Sequence, residues 1–180
     1  MANWLKLSFL LFACGLASAE DVTLADYLRA NLSQEHQFED EFDAQVFLLS
    51  KSYSISRFIK QRPEQVELLT AIHSAAKATE LDVDLVLALI EVESGFNRYA
   101  VSRAGAQGLM QVMPFWKNEI GRSDDNLTDL KTNLRYGCYI LKYYIERHPK
   151  SLTNALAAYN GRLGKTWYAE RIYRALDNWQ

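Results

Sequence analysis

Two carboxylates close a run of apolar residues. Glu91 and Glu93 end the segment Val-Asp-Leu-Val-Leu-Ala-Leu-Ile-Glu-Val-Glu at positions 83–93. Such a segment reads as a core helix, started by Asp82 as N-cap and stopped by Ser94-Gly95. Two positions apart is about 200° around a helix, so the two carboxylates face nearly opposite ways and cannot act as a pair. The expectation is that one meets solvent while the other faces a cleft. A carboxyl held there feels two effects of the same sign. Apolar walls disfavour its charged form, and so does the negative end of the helix dipole. A carboxylic acid kept protonated near neutral pH is what a glycosidic leaving group needs. On position alone the commoner role is a capping or solvated glutamate.

Other reactive side chains form no constellation. His36, His73 and His148 are far apart and have no metal-ligand spacing. Asp124, Asp125 and Asp129 cluster in a polar stretch of the kind usually solvated. There is no phosphate-binding loop and no dinucleotide fingerprint. No cofactor and no metal are expected. Cys138 lies in an apolar helical segment, where a cysteine is more often core than chemistry.

The elements that must position Glu93 are helical. Apolar periodicity gives a helix from about residue 39 to 62, broken near Tyr53, with Phe38, Phe42 and Val46 as its apolar stripe. Pro63 restarts the chain, and a helix follows over about 64–79. Gly105, Gly108, Pro114 and Gly121 punctuate residues 96–128, which read as loops with short helical turns. A small hairpin could lie between Phe96 and Met110. A long helix spans about 130–147, with Leu134, Leu141, Tyr144 and Ile145 on one face. Ser151 caps a short helix reaching Tyr159, and Asn160-Gly161 stops it. Tyr168, Ile172, Leu176 and Trp179 line a last amphipathic helix. The fold class is mostly α, with residues 20–62 as a helical extension and residues 63–180 as the main domain.

The motif around Glu93 raises the catalytic reading above the capping one. Glu93-Ser94-Gly95-Phe96-Asn97 is followed by Ala100-Val101-Ser102 and then by the run from Gly105 to Pro114, Gly-Ala-Gln-Gly-Leu-Met-Gln-Val-Met-Pro. Farther on come Asn133-Leu134-Arg135-Tyr136-Gly137 and Ala157-Ala158-Tyr159-Asn160-Gly161. Three motifs in this order, over about residues 66–165, resemble the soluble lytic transglycosylase family. The resemblance implies a lysozyme-like helical domain that cleaves the β-1,4 bond between N-acetylmuramic acid and N-acetylglucosamine. It implies Glu93 as the catalytic acid and then base, giving a 1,6-anhydro muramoyl end. A second carboxylate, which ordinary glycosidases use, sits in no comparable motif here. The alternatives are a hydrolytic lysozyme-like muramidase and a non-catalytic peptidoglycan-binding assembly module.

Further positions follow from the same resemblance. Ser102, Met110, Gln111, Tyr159 and Asn160 match substrate-binding positions, with Tyr159 placed to position Glu93 or to contact sugar. Ser102 as a loop serine, Met110 as core and Tyr159 as packing are the structural alternatives. The family often continues Tyr-Asn-Ala-Gly-Pro-Gly where this chain has Tyr159-Asn160-Gly161-Arg162-Leu163-Gly164, so the turn is rebuilt. Phe115-Trp116 stands where polar residues are frequent, which offers an extra groove platform or simply packing.

Length and charge bound the rest. With 180 residues and a net charge of −2, the chain suits one domain and carries no field that would attract nucleic acid. Residues 1–19 read as an export signal, with Lys6, an apolar stretch from Leu7 to Leu16, and Ala17-Ser18-Ala19 as cleavage site. Leu11-Phe12-Ala13-Cys14 resembles a lipoprotein box with a bulky Phe12, so outer-membrane association through lipidated Cys14 is the lesser expectation. The expected setting is the periplasm, the expected partner is the peptidoglycan glycan strand, and the expected state is a monomer.

Overall fold

The computed structural model describes residues 41–180. The export signal, Cys14, His36, Phe38 and the first part of the helical extension lie outside the described residues. Seven helices are described: α1 (Glu41–Ile55), α2 (Arg62–Ala78), α3 (Val83–Ser94), α4 (Trp116–Ile120), α5 (Leu130–Arg147), α6 (Leu152–Tyr159) and α7 (Trp167–Leu176). The mostly α architecture expected from the periodicity is what the chain adopts.

Local chemistry accounts for most helix ends. Pro63 falls in the first turn of α2, where a missing N–H costs nothing. The Asp82 carboxylate accepts from the Asp84 and Leu85 amides at 2.8 and 3.2 Å and starts α3. Gly95 ends α3 at φ +56°, a left-handed angle that glycine adopts without a Cβ penalty. Asp129 caps α5 through the Thr132 amide, and Ser151 caps α6 through the Asn154 amide.

Helix α3 is the centre of the molecule. Every residue from Leu85 to Ile90 is buried. It packs against α7 and α2, α2 also meets α1 and α5, and α6 bridges α5 and α7. A helix apolar around most of its circumference can be stable only when neighbours cover it on all sides, and these do.

Two expectations are corrected. The stripe assigned to α1 was Phe42 and Val46, but these are 69% and 50% exposed. The buried face is instead Ala44, Leu48 and Ile55. Helix α1 carries two apolar stripes, and helical spacing alone cannot say which one faces inward. The hairpin expected between Phe96 and Met110 is reduced to isolated antiparallel bridges, Val101 with Gln107 and Gln107 with Val112. Left-handed angles at Gly105, Gly108 and Gln111 interrupt the extended backbone before a strand can form.

Candidate active site

The loop after α3 folds back over the start of α5, and a buried asparagine holds it there. Asn133 is 1% exposed. Its Oδ1 accepts from the Met110 amide at 2.8 Å, and its Nδ2 donates to the Gln107 and Leu127 carbonyls at 2.8 and 2.7 Å. One side chain thus satisfies the Met110 N–H and the Leu127 carbonyl, which would otherwise be orphaned, and adds a second donor to the Gln107 carbonyl, which also accepts from the Val112 amide at 2.9 Å. Two glycines permit this approach. A Cβ on Gly108 would lie 2.5 Å from the Leu127 carbonyl oxygen, and one on Gly137 would lie 2.3 Å from the Met110 sulfur. Ser94 ties the loop to α3 by donating to the Leu109 carbonyl at 2.8 Å.

Glu91 and Glu93 do point apart, but neither is simply solvated. The Glu91 carboxylate accepts from the Asn178 amide at 3.1 Å and the Trp179 indole N–H at 2.8 Å, and Arg57 lies 3.8 Å away. The expectation that the residue opposite Glu93 meets bulk solvent is therefore corrected: Glu91 anchors residues 178 and 179 onto α3. Glu93 is half-buried and accepts a hydrogen bond from the Tyr168 hydroxyl of α7 at 2.5 Å. Burial pushes its carboxyl up to about 7, against the opposing pull of the Tyr168 hydroxyl and the Arg171 guanidinium. The rise was expected and burial is its leading cause. The opposing tyrosine and arginine were not foreseen.

The other sequence-derived candidates fall in different places. Ser102 is half-buried, and its Oγ accepts from the Ala106 amide at 3.0 Å, which leaves the hydroxyl proton to donate elsewhere. Gln111, at φ +48°, donates its Nε2 to the Ala100 and Gly108 carbonyls at 3.2 and 3.0 Å. Met110 is fully buried, with its sulfur 3.9 Å from the Cys138 thiol. Its side chain offers no surface to a ligand, so its place is beneath the loop. Asn160 is the C-cap of α6. Tyr159 sends its hydroxyl to the Met110 carbonyl at 2.8 Å, not to Glu93. It still lies close enough for the Glu93 charge to help raise its phenol well above the ordinary value, after burial.

Tyr168 was read from the sequence only as part of an amphipathic stripe. The signal that could have found it is a general one. A buried tyrosine hydroxyl needs a partner, and Glu93 is a half-buried carboxyl with the same need. Among the described residues no group of histidine, cysteine and carboxylate side chains could hold a metal ion.

The arrangement matches a known family along most of its length. Residues 70–180 match the family model described as the transglycosylase SLT domain. The chain belongs to the transglycosylase SLT domain family. The membrane-bound lytic murein transglycosylase C of Photorhabdus laumondii is 31% identical over 156 residues, covering 78% of this chain and 42% of the relative. The membrane-bound lytic murein transglycosylase F of Shewanella denitrificans is 35% identical over 104 residues, 54% of this chain and 21% of that protein. A transglycosylase C of Glaesserella parasuis is 50% identical over 46 residues, 26% of this chain and 13% of the relative. The chain therefore spans less than half the length of these relatives. The SLT match covers α3, the loop, α5, α6 and α7, and with them Glu93, Tyr168 and Arg171.

Proposed function

We propose that this SLT domain is an exported peptidoglycan lytic transglycosylase with Glu93 as its catalytic residue. One observation carries the reading. The Glu93 carboxyl is raised to about 7 and held at 2.5 Å by Tyr168. An acid with that affinity for its proton can donate at neutral pH, and its conjugate base can take a proton back. Among the described residues no carboxylate is among the groups that shift it.

In the proposed reaction, protonated Glu93 gives its proton to the glycosidic oxygen as the bond from C1 of N-acetylmuramic acid to that oxygen breaks. The neighbouring N-acetyl carbonyl stabilises the charge left at C1. Glu93, now a carboxylate, takes the proton of the C6 hydroxyl of the same sugar while O6 bonds to C1. The products are a free N-acetylglucosamine end and a 1,6-anhydro-N-acetylmuramic end. Glu93 is protonated again and no water is consumed. The intramolecular hydroxyl gains by proximity over water. Ser102 would donate its hydroxyl proton to the sugar, Gln111 would offer its Oε1, and Asn160 would line the cleft. Tyr159 and Met110 would support these groups from beneath.

The proposed site of action is the periplasmic glycan strand. Digestion of purified sacculi followed by mass spectrometry should give anhydro-muropeptides with the wild type and none with Glu93→Gln. Products with reducing muramoyl ends only would support a hydrolytic muramidase instead. Equal activity in Glu93→Gln would remove Glu93 from the chemistry.

A further inference from the structure

A groove lies between α4 and α5. Trp116, Glu119 and Ile120 of α4 and Arg135, Tyr139 and Tyr143 of α5 line a cavity of about 630 Å³. That volume is within the range of about 300–1,000 Å³ usual for small-ligand sites. Its aromatic lining is exposed where core packing would hide it: Tyr139 is 53% and Tyr143 44% exposed. The Tyr143 ring is also held in place. The Arg147 guanidinium sits 4.7 Å from the Tyr143 ring centroid, and Tyr143 meets Tyr144 edge-on at 5.2 Å. Arg135 is braced by Asp125 at 3.3 Å. Rings fixed before binding lose little freedom when a ligand arrives.

We propose that this α4–α5 groove binds a segment of N-acetylated glycan at a distance from Glu93. The chemistry of the lining selects that ligand class. Tyrosine and tryptophan rings offer apolar faces to the C–H face of a pyranose, while phenol, guanidinium and carboxylate groups at the rim meet its hydroxyl and acetamido groups. The groove is also connected to the site. Tyr144 packs edge-on to Tyr159 at 6.5 Å, and Tyr159 is bonded to the Met110 carbonyl of the loop that carries Gln111. The same loop runs into α4 through Phe115, where this sequence departs from the polar residues frequent in its family. The inference rests on the proposed glycan substrate. A polymer held at two places would be kept near Glu93 between cleavage events, an avidity effect that a short glycan would not show.

The probe is chitotetraose, added to isotope-labelled Glu93→Gln protein and followed by amide chemical shifts. Shifts are expected at residues 116–120 and 139–143 in addition to those around position 93. In otherwise wild-type protein, Tyr139→Ala with Tyr143→Ala should weaken co-sedimentation with insoluble sacculi about five- to tenfold. Turnover of a short soluble glycan should stay unchanged. Tyr53→Ala, an exposed tyrosine on α1 at 82%, is the control and should leave sacculus binding intact. Shifts confined to the surroundings of position 93, or unchanged sedimentation of the double variant, would overturn the inference. So would a concentration-dependent dimer abolished by the double variant while glycan binding persists, since the groove would then seat a second copy. The readouts are separable from the proposed activity. Groove shifts without anhydro products would sink only the transglycosylase reading, and anhydro products without groove shifts would sink only this one.

Discussion

At the scale of single residues, the site is a contest over one proton. Burial favours the neutral form of Glu93, and the Tyr168 hydroxyl and Arg171 charge favour the anion. Tyr168 donates to Glu93, so it stabilises the carboxylate. Tyr168→Phe removes that donor and should raise the Glu93 carboxyl further above 7. The alkaline limb of the kcat/KM profile should move up with it, by several tenths of a pH unit or more. An unmoved limb with a lower kcat would assign Tyr168 to packing alone. Stability carries the same information with a defined sign. A carboxyl that rises from 4.5 to about 7 on folding contributes stability fully present below about 4.5 and lost as the pH climbs through about 7. The loss amounts to about 3 kcal/mol at most. Glu93→Gln carries no such charge. Its urea stability relative to wild type should therefore improve between pH 4.5 and pH 8. A difference that does not change with pH would mean the carboxyl is not raised by the fold.

At the scale of elements, legibility followed local chemistry. Helices α3, α5 and α6 were readable because each starts on a side-chain cap and stops on glycine or before a proline. The capping residues Asp82 and Ser151 and the Asn160-Gly161 stop act as read. The loop was readable as a motif but not as a shape. Its form depends on Asn133, which lies more than twenty positions away in sequence from Met110 and Gln107 and which no local pattern marks as a strut. The partner of Glu93 was hidden for the same reason, since Tyr168 is 75 positions distant. Met110 shows the limit of a motif transferred by position: it stands in the groove-lining run, yet its side chain is core. Asn133→Ala would orphan the Met110 N–H and the Leu127 carbonyl and leave the Gln107 carbonyl with the Val112 amide alone. It should cost about 3 kcal/mol or more. It should also lower activity at temperatures where circular dichroism still reports a folded protein, because Ser102 and Gln111 ride on the loop. Full activity at native stability would show that the loop holds its form without this residue.

At the scale of the molecule, residues before the family match and residues at its far end close the core together. Leu48 and Ile55 of α1, and Ile59 after it, belong to the same buried cluster as Trp179. The core thus runs across the boundary that the sequence suggests at residue 62. Polar contacts join the same two regions. Ser54 donates to the Asn178 carbonyl at 2.6 Å, Lys51 donates to the Trp179 carbonyl, and Lys51 pairs with Asp84 at 2.7 Å. Trp179 is the hub. It is 1% exposed, its ring lies 5.3 Å from Phe96 and 6.4 Å from Phe58, and its indole N–H satisfies Glu91. Trp179→Ala would open a large cavity and remove one donor from a partly buried carboxylate on α3. Cavity and lost hydrogen bond together should cost about 3–5 kcal/mol. Trp179→Phe keeps an aromatic ring but loses the N–H, so its cost should be smaller and should be dominated by Glu91. The additional variant Glu91→Gln separates the two contributions. If the indole bond matters through the carboxylate charge, Trp179→Phe should cost less in the Glu91→Gln background than alone. Chemical denaturation of the four proteins gives the coupling directly. Additive losses would mean that Trp179 holds α1, α3 and residues 177–180 together by packing alone, with Glu91 a bystander.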